Sequence, residues 1–127
     1  MPVNTAAVMG KIRAAVQLSV EQACEIITEE AQAIVPVKTG ALRESIGWTT
    51  DEQSGMIVGT VSAKVPYAGY IEFGTGRRGA ASPGAGPYPY TMTWPGMVAQ
   101  PFMRPSVDTA RESVKQVFID NVALALK

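Results

Sequence analysis

Few residues in this chain could do chemistry, and each must be weighed by type and spacing. Gly74-Thr75-Gly76-Arg77-Arg78-Gly79 has the glycine spacing that in dinucleotide-binding turns hands a pyrophosphate to the N-terminus of a following helix. That chemistry needs a helix next and an acidic residue about twenty positions on for the ribose. Ala80-Ala81-Ser82-Pro83-Gly84 reads as no helix, and no Asp or Glu stands at that distance. The stretch therefore reads as a loop, and no cofactor is expected. Glu29 and Glu30 are adjacent acids, but neighbouring helical positions point about 100° apart and cannot face each other as an acid/base pair. Cys24 is the single cysteine, and the chain has no histidine to activate it. Without histidine or a second cysteine, triad, zincin and thioredoxin-type chemistries are excluded, no disulfide can form within the chain, and no metal site is expected. No catalytic residue is assigned, and the chain is not expected to be an enzyme.

Two features remain. Glu72 lies in the otherwise apolar run Tyr67-Ala68-Gly69-Tyr70-Ile71-Glu72-Phe73. A carboxylate there must be paired or bonded to backbone N–H groups, and Arg43 and Arg104 are the expected partners. Arg77 and Arg78 sit side by side among glycines, where they could meet phosphate or an acidic protein surface.

The elements that must position these residues follow from period and punctuation. Ile12, Val16, Val20, Ala23, Ile27, Ala31 and Ile34 recur at helical steps, so a long helix is expected from about Thr5 to Val35, capped by Asn4 or Thr5 and ended by Pro36. Thr39 would cap a short helix before Ile46. Runs 46–53 and 56–63 flank Ser54-Gly55, a pair suited to a two-residue turn, which places Trp48 opposite Val61 and Ile57 opposite Glu52. Ile46, Trp48, Ile57 and Val61 then share one apolar face. From Gly74 to Pro105 there are six glycines and six prolines, which rules out regular helix there. Within that stretch Tyr88, Tyr90, Met92 and Trp94 alternate with Pro89, Thr91 and Thr93, as in a loose edge hairpin. A second amphipathic helix is expected from about Ser106, its cap, to Leu126.

The expected architecture is α+β: a small antiparallel sheet of two hairpins packed by a long N-terminal and a C-terminal helix. One domain spans 1–127, with a flexible Gly/Pro-rich loop and edge hairpin at about 74–105. The 127 residues carry eleven basic and eleven acidic side chains, a balance that argues against a dedicated nucleic-acid binder. The first twenty residues show no basic start followed by an apolar run, and no eighteen apolar residues run together, so neither a signal peptide nor a membrane span is expected. Arg77, Arg78, Tyr88, Tyr90, Met92 and Trp94 form the expected interaction loop, mobile in the free chain and ordered by a partner.

Three segments carry a family resemblance. Pro36-Val37-Lys38-Thr39-Gly40-Ala41-Leu42-Arg43-Glu44-Ser45-Ile46 resembles the "P-V-x-T-G-x-L-R-x-S-I" stretch of head–tail joining and tail-completion proteins of tailed phages. Tyr67 to Thr75 is similar to that family's "Y-A-x-x-x-E-F-G-T", and Gln100-Pro101-Phe102-Met103-Arg104-Pro105 to its "Q-P-F-x-R-P". The resemblance implies a virion component that assembles in the host cytoplasm into a homo-oligomeric ring, hexameric in the virion. Such a ring lies at the neck or the head-proximal tail end, against adjacent neck and tail-tube proteins, with DNA passing through its lumen without sequence-specific binding and no membrane involved. The other reading of the residues is a small bacterial regulatory module touching nucleic acid or protein through the Arg77–Arg78 loop.

Overall fold

Asn4 begins the first helix as its periodicity requires: its side chain accepts a hydrogen bond from the Ala7 N–H at 3.1 Å, satisfying a donor the helix leaves free. A computed structural model describes residues 4–36, 40–87 and 89–127. Helix α1 (Thr5–Ile34) stops at Val35, where Pro36 forbids a further turn. At 30 residues it is about 45 Å long. It serves as the spine of the molecule, with an antiparallel partner helix, α5 (Met103–Ala125), along one side and a β-hairpin along another.

Two neighbours need two contact faces, and α1 provides them with different residue types. Toward α5 it presents the small residues Ala15 and Ser19, both buried, and Asn121 of α5 donates to Ser19 Oγ at 3.0 Å and to Gln22 Oε1 at 2.9 Å. The apolar stripe turns instead to the hairpin. Val20 and Cys24 lie directly beneath Gly59, and Ile12 and Val16 line the space under the hairpin tip. Ile34, expected in the stripe, is exposed, whereas its neighbours Ala31 and Val35 join the core.

The hairpin has the expected register. Strands β1 (Ile46–Gln53) and β2 (Met56–Ala63) pair Trp48 with Val61 and Glu52 with Ile57. Ser54 (φ 52°) and Gly55 (φ 82°) both adopt positive φ, the conformation of a tight turn that matches the twist of the strands. On the face toward α1, the Trp48 indole N–H donates to Glu25 at 2.7 Å, Gln17 reaches Thr50, and Arg13 pairs with Glu52.

Between the hairpin and α5 the chain departs from expectation. The hairpin is followed by α3 (Ala68–Phe73) and α4 (Gly76–Ala81), so the glycine-rich stretch after Gly74 holds a short helix where a loop was expected. No second hairpin forms among the described residues: its place is taken by a lone bridge between Thr75 and Met97, because Pro89 and Pro95 interrupt any ladder. Ser106 is not a cap. Helix α5 begins at Met103, and Ser106 is fully buried, donating to the Met103 carbonyl at 2.6 Å. The short helix α2 (Ala41–Ser45) is preceded by Gly40 in the left-handed conformation; Thr39, expected to cap it, lies outside the described residues. The core gathers where these pieces meet, from Ala31, Val35, Leu42, Ile46, Ala68 and Phe102.

Gly59 sets the closeness of hairpin and spine, since a Cβ there would stand 2.5 Å from Cys24 Sγ and 2.8 Å from Val20 Cγ1. Gly59→Val is expected to lower stability by about 1–3 kcal/mol through overpacking. Urea unfolding of the variant beside the wild type measures this, and an unchanged midpoint would show that the hairpin can lift freely from α1.

Candidate functional site

An α-helix leaves four N–H groups without intrahelical partners at its start. In α5 these belong to Phe102, Met103, Arg104 and the next residue, Pro105, which has none to leave. Phe102 has no side-chain group that could cap the other three. Glu72, thirty residues upstream on α3, does so. Its Oε2 accepts from the Phe102 N–H at 2.7 Å and the Met103 N–H at 2.9 Å, and its Oε1 from the Arg104 N–H at 3.1 Å.

The same carboxylate meets the Arg104 side chain. Arg104 Nε donates to Glu72 Oε1 at 2.9 Å, while Nη2 reaches the Glu72 carbonyl at 3.0 Å and the Gly84 carbonyl at 2.6 Å. The guanidinium also lies over the Phe73 ring, 4.5 Å from its centroid, as a cation–π contact. One charged cluster thus fastens α3, α5 and the turn at Gly84 together. Arg43, the other expected partner, is elsewhere: its Nε donates to the Gln32 carbonyl at 3.0 Å, tying α2 to the end of α1.

Glu72 is only 6% exposed. Burial alone would push its carboxyl up, but the bonds from Met103, Phe102 and Arg104 favour the charged form more strongly and hold it below its ordinary value. Within the cluster both carboxylate oxygens accept from backbone N–H groups and the guanidinium, an arrangement that holds structure.

Beside this cluster lies the exposed part of the segment 76–99. Arg77 and Arg78 are on the surface of α4, with their N–H groups bonded to the Trp94 carbonyl at 3.1 Å and the Pro95 carbonyl at 2.8 Å. Those two donors are therefore occupied within the chain. Trp94 and Met92 are about half exposed. Tyr90 has a different role: its hydroxyl donates to the Phe73 carbonyl at 2.8 Å and accepts from the Gly86 N–H at 2.9 Å. Tyr88 lies outside the described residues. Tyr70, absent from the sequence-derived set, is 59% exposed and faces Trp94 and Pro89 across a groove of about 160 Å³. Its signal was available: two residues before the inward Glu72 on a helix, a side chain points away from the core. Among the described residues, no group of His, Cys, Asp or Glu could hold a metal ion, and no helix is long and apolar enough to cross a membrane.

Glu72→Gln keeps the shape but places an amide against donors, and is expected to cost on the order of 2–3 kcal/mol at neutral pH. Because the folded carboxyl is depressed, its contribution is fully present above the unfolded value of about 4.3 and is lost as pH falls through the lower folded value. Thermal melts of both proteins from pH 7 to pH 3 should therefore converge in acid. Parallel curves at a constant offset would show that the charge of Glu72 is immaterial.

No curated protein and no solved structure matches the chain. A family model does match, over residues 4–74, from the cap of α1 through the end of α3, and its description is that of the bacteriophage HK97-gp10 tail component. The matched region is more than half of the sequence and contains the spine, the hairpin and Glu72. The chain belongs to the HK97-gp10-like family of phage tail components.

Proposed function

We propose that this protein is a non-enzymatic virion component that forms a ring of identical subunits, hexameric in the particle, at the neck or the head-proximal end of a phage tail. It completes or terminates the tail and joins it to the head, with adjacent neck and tail-tube proteins as its partners. The observation that carries the reading is the family match, which covers the spine and hairpin. The lobe from α3 to the start of α5 supports it. That lobe is tied to α5 through Glu72 and Arg104 and presents Tyr70, Met92, Trp94, Arg77 and Arg78 outward, the residue types that interfaces favour.

Balanced charge suits a subunit whose lumen passes DNA without gripping it. The proposed joining step is one of surface fit and calls for no cofactor. Its place of action is the virion, after assembly in the host cytoplasm.

Deleting the gene from its phage should leave filled heads and tails that accumulate separately or tails of irregular length. Electron microscopy of the lysate distinguishes these outcomes. Normal infectious particles from the deletion strain would overturn the proposal, as would intact wild-type particles that contain the protein without a ring of it.

A further inference from the structure

The two arginines of α4 are the uncompensated charge of their lobe. From Phe73 to Val107 the sequence has no Asp or Glu, and of its three arginines Arg104 is already engaged by Glu72. Arg77 and Arg78 remain exposed, and among the described residues neither forms an ion pair. Their positions are fixed by the backbone bonds to Trp94 and Pro95, beside the groove walled by Tyr70 and Trp94.

The complementary charge is on α1. No Lys or Arg occurs between Arg13 and Lys38, while Glu21, Glu25 and Glu29 recur every fourth residue along one side of the helix, with exposed Leu18 and Gln22 beside them. Like charges at this spacing repel within their own helix, and a cationic neighbour relieves them. Among the described residues none is supplied: Arg13 pairs with Glu52, and Arg43 is committed to the Gln32 carbonyl. Both faces occur on one chain, have opposite sign and do not meet in it.

We propose that the Arg77–Arg78 face, with its Tyr70–Trp94 groove, docks on the glutamate-bearing side of α1 in a second copy of this chain. Arg77 and Arg78 meet Glu25 and Glu29 of the next copy, and the aromatic walls cover the Leu18 region. Because the two faces differ, each contact leaves one face free on either side, and subunits add head to tail until rotation closes the circle. The inference rests on the ring reading above and names the surface that builds it.

Reversal of charge tests it. Particles carrying R77E/R78E, or E25R/E29R, should show a titre reduced by about tenfold or more, and combining the two sets in one chain should restore it. Glu25 also holds the Trp48 indole, so E29R alone serves should the double variant fail to fold, as judged by circular dichroism and melting. Neutral reversals in particles that still contain the ring would overturn this interface while leaving the ring intact. Loss on reversing the arginines that the α1 reversal fails to rescue would overturn it as well, and would assign the arginine face to an acidic segment of another virion protein. Absence of a ring from wild-type particles would overturn both readings together.

Discussion

The structure depends on one unmet requirement: helix α5 begins with three backbone donors and no side chain of its own to take them. Glu72 meets it from a helix distant in sequence, and three N–H groups and a guanidinium converge on its two oxygens. A buried carboxylate is costly when unpaired, so this one is tolerable only while α5 is docked. Dependence runs both ways. The start of α5 requires α3, and Glu72 of α3 can be buried as a carboxylate only where α5 supplies its donors.

The remaining lobe is organised around that junction. Gly74 leaves α3 with φ +77° and no room for a Cβ, since Met97 O, Ala99 N and Gly79 Cα would lie within 2.8 Å of one. The backbone can therefore fold directly against the 97–99 segment, where Thr75 and Met97 exchange bonds at 2.9 and 2.8 Å. The Gln100 N–H closes the circuit on the Ile71 carbonyl at 2.8 Å. A segment rich in glycine and proline is thereby held by backbone bonds to its neighbours, where a packed apolar core would otherwise be needed.

Local signals were legible in the sequence, and distant ones were not. The Ser54-Gly55 turn specified every pair in the hairpin, and the period from Ile12 to Ala31 with Asn4 before it specified α1. The start of α5 was misplaced to Ser106 because its true cap lies thirty residues upstream, invisible to any rule about neighbouring positions. Helix α4 was missed for the same reason: its glycines disfavour it locally, and the Trp94 and Pro95 carbonyls that hold Arg77 and Arg78 come from across a loop. Between Arg43 and Arg104 as partners for Glu72, composition offered no means of choosing. Tyr90 was expected to face a partner, yet its hydroxyl is directed to Phe73 and Gly86.

The antiparallel seam between α1 and α5 has a kinetic consequence. Asn121 meets Ser19 across 102 positions of sequence, whereas the hairpin closes over a two-residue turn. Loop-closure entropy therefore orders the events: α1 and the hairpin can form early from local contacts, and α5 docks last. Until it does, the small-residue side of α1 is bare and the Glu72 carboxylate has no cap to serve. Pulse-labelled amide exchange during refolding should thus protect β1 and β2 before α5, and simultaneous protection of all three would contradict this order. By this ordering, the seam that brings α5 back along α1 is the last contact to form.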